Sequence, residues 1–114
     1  MELAHALNEL GFNTRRTAQY NGKETGSLAD IVGIDGIHAE VKRVERLQID
    51  TAYEQAVRDA KDGEIPTVFH RRNRKPWLVT MGLEDWASMY VTAQERELEC
   101  EDLTEQLKVR KEKE

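Results

Sequence analysis

The sequence predicts an α/β fold built on one central sheet, and three observations carry that prediction. Apolar residues recur at helical spacing in three separate places. Between them lie short runs rich in Val, Ile, Thr and aromatic residues, bounded by Gly, Pro, Asn and Asp. The elements follow one another as helix, three strands, helix, two strands, helix.

Leu3, Ala6, Leu7 and Leu10 fall on one helical face, and Gly11 ends that helix. Phe12 to Tyr20 reads as a strand, and residues 21–27 form a polar loop with two glycines. Two strands follow, joined at Asp35-Gly36, a strong hairpin signal. Thr51-Ala-Tyr-Glu54 is a capping-box pattern, and Ile49, Ala52, Tyr53, Ala56, Val57 and Ala60 make one apolar stripe that should stop at Gly63. Pro66 to His70 and Pro76 to Met81 read as two strands joined by the basic turn Arg71 to Lys75. Leu83, Trp86, Ala87, Tyr90 and Val91 form a further amphipathic helix, with Trp77 and Trp86 at core spacing. The tail from Gln94 is helix-forming but nearly all polar. Its thin line of Leu98, Leu103 and Leu107 suits either a seam for a partner helix or a solvated helix.

Charged residues make up 34% of the 114-residue chain and hydrophobic ones 39%, which suits a single globular domain. No apolar run approaches a membrane span and no signal segment opens the chain, so a cytoplasmic location and no membrane partner are expected. Cys100 is the one cysteine, so neither a disulfide framework nor a cysteine zinc cluster is available. The net charge of −5 argues against a generic nucleic-acid binder. The charge is unevenly spread, however. Residues 94–114 hold eight acids and five bases, whereas the run His70-Arg71-Arg72-Asn73-Arg74-Lys75 carries no acid and can form a local positive patch.

The hairpin register fixes which residues share a face. A two-residue turn would set Asp30 opposite Val41 and bury it without a partner. A three-residue loop, Ile34-Asp35-Gly36, with Gly36 left-handed, sets Asp30 opposite Glu40 and Val32 opposite His38. Ala29, Ile31, Gly33, Ile37, Ala39 and Val41 then form an apolar face, and Asp30, Val32, His38, Glu40 and Lys42 the polar one. The second register is expected. It brings two carboxylates within about 5 Å at their Cβ atoms, which is unfavourable unless something positive lies between them. Two readings are open. Lys42 serves as that charge on a solvated, salt-bridged face, or a hard divalent cation is held by Asp30, Glu40 and the Val41 carbonyl, with Lys42 acting on a water activated by the metal.

Asp30 followed by Glu40-Val41-Lys42 on the next strand resembles the core of the PD-(D/E)xK nuclease superfamily. More closely, the chain resembles archaeal-type and phage Holliday junction resolvases. The supporting pieces are Leu7-x-x-Leu10-Gly11-Phe12, Arg15-Arg16, Ala29-Asp30-Ile31-Val32, Glu40-Val41-Lys42, Ile65-Pro66 and Trp77-Leu78-Val79. The likeness covers roughly residues 1–91, which sets a nuclease-like domain at 1–92 and a charged helical tail at 93–114. It implies a restriction-endonuclease-like mixed sheet flanked by helices. It also implies Mg2+ or Mn2+ on Asp30 and Glu40, and Lys42 assisting the water. A first-helix glutamate, for which Glu2 is the near candidate, completes such sites. Ser27 falls where resolvases place a serine near the scissile phosphate, and Gln55 matches a glutamine near the metal, though a solvated helix position is its plainer reading.

Arg71, Arg72, Arg74 and Lys75 fit a patch that contacts phosphates, where an ordinary charged turn is the alternative. Arg43 and Arg46 follow the ExK strand, and they and Arg15 and Arg16 can hold the DNA backbone near the metal. His38 lies on the metal face, there to meet phosphate or simply to pack. The implied activity is structure-selective DNA endonuclease action, phosphodiester hydrolysis on four-way junctions by a homodimer, in the host cytoplasm if the chain is phage-encoded. Two alternatives remain: the same chemistry on flap, fork or duplex DNA, and a non-catalytic DNA-binding or assembly module.

Overall fold

The computed structural model describes residues 2–17 and 29–113, with the side chains of 99–113 left outside the description. The chain divides into two compact units, Met1–Gly82 and Leu83–Glu114. The first unit contains α1 (Glu2–Glu9), β1 (Arg15–Arg16), β2 (Ile31–Val32), β3 (Ile37–Arg43), α2 (Ile49–Asp59), β4 (Ile65–Arg71) and β5 (Leu78–Met81). The second is a single helix, α3 (Leu83–Lys113). It runs unbroken past residue 92, so the division falls at Gly82, ahead of the 92/93 boundary that the sequence suggested. Within α3, Trp86 stacks on Tyr90 one turn later, with ring centroids 5.5 Å apart.

The fold is mixed α/β: one five-stranded sheet in the order β1-β2-β3-β4-β5, with only β3 and β4 parallel. A parallel pair cannot be closed by a tight turn, and here the connection is α2. One face of the sheet packs Leu3 of α1 with Ile31, Ala39 and Phe69, with Leu7, Ile37, Val41 and Trp77 around them. The other packs Ala52 and Ala56 of α2 on Val68, flanked by Leu47, Ile49 and Tyr53. Small residues on α2 permit this close approach, and it covers the face that the sequence left open to solvent.

The hairpin has the expected register. Ile31 pairs with Ala39, which counts on to Asp30 opposite Glu40, and Gly36 is left-handed at φ +80°. Elsewhere the boundaries differ. The described part of the first strand is only Arg15–Arg16, where Phe12–Tyr20 was expected, and residues 18–28 lie outside the description. The capping box at Thr51 does not form: α2 starts earlier, at Ile49, with Gln48 as N-cap, and the Gln48 carbonyl accepts from the Ala52 N–H at 3.0 Å. The helix also ends before Gly63. Ala60 is extended, and residues 61–64 turn back through a Glu64 N–H bond to the Lys61 carbonyl. The C-terminus of α1 forms as expected: the Gly11 and Phe12 N–H groups cap the carbonyls of Asn8 and Leu7. Asn8 then fixes the path into β1, accepting from the Thr14 N–H at 2.7 Å and donating to the Thr14 carbonyl at 3.1 Å.

Gly33 and Gly36 bound the hairpin loop but are not equivalent. A Cβ on Gly33 (φ +109°) would lie 2.2 Å from the Asn13 carbonyl oxygen, whereas one on Gly36 meets nothing within 4 Å. Gly36→Ala should therefore cost about 1 kcal/mol, the left-handed penalty alone. Gly33→Ala should cost about 3 kcal/mol or more, because backbone must move as well. Urea unfolding of the two variants checks this, and equal losses would contradict it.

Candidate metal centre

The polar face of β3 carries His38, Glu40 and Lys42 toward α2. His38 and Glu40 are each 1% exposed, so the solvated, salt-bridged face expected on one reading is not what forms. The physical reason is the crossover helix, which lies over this face. Nor is Lys42 the ion-pair partner of the carboxylates. Its Nζ donates to Gln55 Oε1 on α2 at 3.3 Å. Glu40 is met instead by His38, whose Nε2 shares a 2.8 Å hydrogen bond with Glu40 Oε1. These residues stand two apart on one strand, so their side chains project together.

Asp30 is half-buried beside them. Its N–H donates to the Ala39 carbonyl at 2.9 Å, and its Oδ2 accepts from the Val41 N–H at 2.8 Å. Asp30 thus brackets Glu40 on the neighbouring strand. Val41 takes part through its N–H in this structure, where the sequence nominated its carbonyl. Burial pushes the Glu40 carboxyl above its ordinary range; the hydrogen bond from His38 opposes the rise, and the charge of Asp30 adds to it.

A further carboxylate joins them from α2. His38, Glu40 and Asp59 each offer a ligand atom, and these atoms lie within 4.8 Å of one another, so the group can hold a metal ion. Asp59 was not singled out from the sequence. It lies off the apolar stripe of its helix and nineteen positions from Glu40, and nothing local marks it. The i, i+2 spacing of His38 and Glu40 was the one available signal, and it pointed to a shared face rather than to the helix that covers it.

Glu2 is held elsewhere. One carboxylate oxygen accepts from Arg43 Nε at 2.7 Å and the other from Arg71 Nη1, so α1 delivers it to the far ends of β3 and β4. Glu2, the first-helix candidate ligand, thus has both oxygens engaged by guanidinium groups on the face of β3 opposite Glu40. Arg43 also donates to Asn73 Oδ1 at 2.7 Å, and Arg71 Nε to the Lys75 carbonyl at 2.7 Å, which knits the basic turn to the strand ends. Arg74 holds a left-handed backbone (φ 60°) at the tip of that turn. Next to it, a cavity of about 510 Å3 is lined by Arg46, Leu47, His70, Arg72, Lys75 and Leu78, among others. His70 stands beside Lys42 in the parallel register, so the cavity continues the Lys42 face. Arg15 and Arg16 are exposed on β1, and Ser27 lies outside the described residues.

No family model, no curated protein and no solved structure matches the chain. No helix among the described residues is long and apolar enough to cross a membrane.

The raised Glu40 carboxyl gives a signed prediction. Its folded-state affinity for a proton exceeds that of the unfolded chain. The stabilising effect is full below the ordinary carboxylate range and is lost as pH rises through the folded value. In EDTA, Glu40→Gln should gain stability relative to wild type as pH rises from 4 to 7.5. Chemical unfolding at the two pH values measures this, and a difference that does not vary with pH would refute it.

Proposed function

We propose that this chain is a metal-dependent DNA endonuclease of the restriction-endonuclease-like, PD-(D/E)xK type, acting on four-way junctions. One observation carries the reading. Asp30 and Glu40 converge from adjacent strands, with Lys42 two residues further along the face of Glu40. The element order and the single parallel pair within a mixed sheet are compatible with it.

The donor set fits Mg2+ or Mn2+. A buried and a half-buried carboxylate adjoin where the Glu40 charge is disfavoured by burial and by Asp30, a condition that a hard cation relieves. When bound there, such an ion offsets phosphate charge and makes water more acidic. The chain's own groups do the rest. Gln55 Oε1 holds the Lys42 ammonium by accepting its hydrogen bond, which keeps a positive charge on the face that carries Glu40. Arg46, Arg72 and Lys75 line one cavity, with Arg74 at the tip of the turn beside it, and serve phosphates along the backbone, contacts that position DNA without reading its sequence. A four-way junction presents two equivalent strands, so two copies of the chain related by a twofold axis would cut it symmetrically.

A non-catalytic DNA-binding module is favoured by one observation, the 1% exposure of Glu40 and its engagement by His38. A cleavage assay separates the readings. Labelled four-way junction, flap, fork and linear duplex are incubated with Mg2+, with Mn2+ and with EDTA. The junction should be cut with either metal and not in EDTA. Asp30→Asn should bind DNA without cutting, and Lys42→Ala should cut about a hundredfold more slowly or less. Junction binding without cutting in any metal overturns the nuclease reading, and preferential cutting of flap, fork or duplex overturns the junction assignment.

A further inference from the structure

The His38 cluster contains more donors than the Asp30, Glu40 and Lys42 arrangement uses. His38 and Asp59 take no part in that chemistry, yet their ligand atoms and that of Glu40 lie within 4.8 Å of one another. Two of the three side chains are fully enclosed, and the Asp59 side chain is 21% exposed. Charge in this pocket is lopsided. Glu40, Asp59 and Glu64 all face the His38 ring or its hydrogen-bond partner, and Asp30 stands near Glu40. Among the described residues, the cation paired with Asp59 is Arg58, 3.6 Å away and largely solvated.

The imidazole is also backed from behind. His38 Nδ1 lies 4.0 Å from Glu64 Oε1, and Glu64 is itself fixed by accepting the Lys61 N–H at 2.8 Å. At that distance Glu64 adds negative charge beside the ring without a hydrogen bond to it. One imidazole nitrogen with two carboxylates suits ions that accept nitrogen, whereas Mg2+ keeps to oxygen and water.

We propose that His38, Glu40 and Asp59 form a transition-ion site taking Mn2+, Co2+ or Zn2+ through the His38 nitrogen. It shares only Glu40 with the proposed nuclease site and does not depend on that function. The ion ties the end of α2 to β3, so its binding also stabilises the fold.

Co2+ is the probe, because its visible absorption reports nitrogen and oxygen ligation without reference to activity. Full-length protein stripped with EDTA and desalted is titrated with Co2+, and melting is followed in parallel. One ion per chain should bind, with a visible band and a raised Tm. Zn2+ should displace it, and excess Mg2+ should not. His38→Gln and Asp59→Asn should weaken Co2+ binding about tenfold or more. Asp30→Asn and Lys42→Ala should leave the band in place. Should His38→Gln fail to fold, Asp59→Asn decides, since its partly exposed side chain tolerates the change. Absence of a band, a band unchanged in Asp59→Asn, or one lost in Asp30→Asn overturns the site. A protein that binds Co2+ in this way but cuts no DNA keeps this site and loses the nuclease reading, and the converse result does the opposite.

Discussion

The burial of one carboxylate governs the rest of this structure. Glu40 lies in the middle of β3 under α2, with Val68 beside it in the sheet and Ala52 and Ala56 packed over that face. A charged group there loses its water, and proteins compensate such a loss with a partner or a proton. Here the partner is His38, and the remaining neighbours, Asp30 and Asp59, are acidic. The crossover that creates this environment follows from the parallel pairing of β3 with β4, which requires a helix across one face. The same helix supplies Gln55 to Lys42 and Asp59 to the His38–Glu40 pair, so one packing decision builds both clusters.

Along β3 the charge changes sign. The acidic side chains gather around Glu40, Lys42 follows, and Arg43 and Arg71 close the far end, partly neutralised by Glu2. A polyanion approaching the sheet is attracted to the end with Arg46, Arg72 and Lys75 and repelled by the carboxylates unless a cation sits among them. The overall charge of −5 is therefore unevenly distributed, with a locally positive end.

How much of this was legible depends on range. The hairpin register could be read because Asp35-Gly36 and the alternation on both sides are local signals, and a slip would reverse every side chain. The end of α1 could be read from Gly11 for the same reason. Which face α2 covers could not. The polar residues on β3 look solvent-facing in the sequence, and only the tertiary crossover buries them. The capping box misled because Thr51 and Glu54 satisfy the pattern locally, while Leu47 and Ile49, packing against the sheet, start the helix earlier. Glu2 was nominated by its place in the first helix. Its guanidinium partners come from β3 and β4, about forty and seventy residues away, beyond any local pattern.

Folding alone does not account for Glu40. It is enclosed between Val68 and α2 as well as by polar neighbours, and buried ionic groups are often replaced by hydrophobic residues without loss, or with a gain of about 1–4 kcal/mol. A valine at this position would continue the packing of Val68, Ala52 and Ala56 and would remove the unfavourable juxtaposition with Asp30. His38 does not reverse the argument, for a buried imidazole beside a carboxylate is a second polar group enclosed to serve the first. Strain of this kind is informative when it converges on one point, as it does here from Asp30, His38 and Asp59. What Glu40 contributes that a valine could not is a carboxylate at a fixed place, within 4.8 Å of the ligand atoms of His38 and Asp59, an arrangement that can hold a cation.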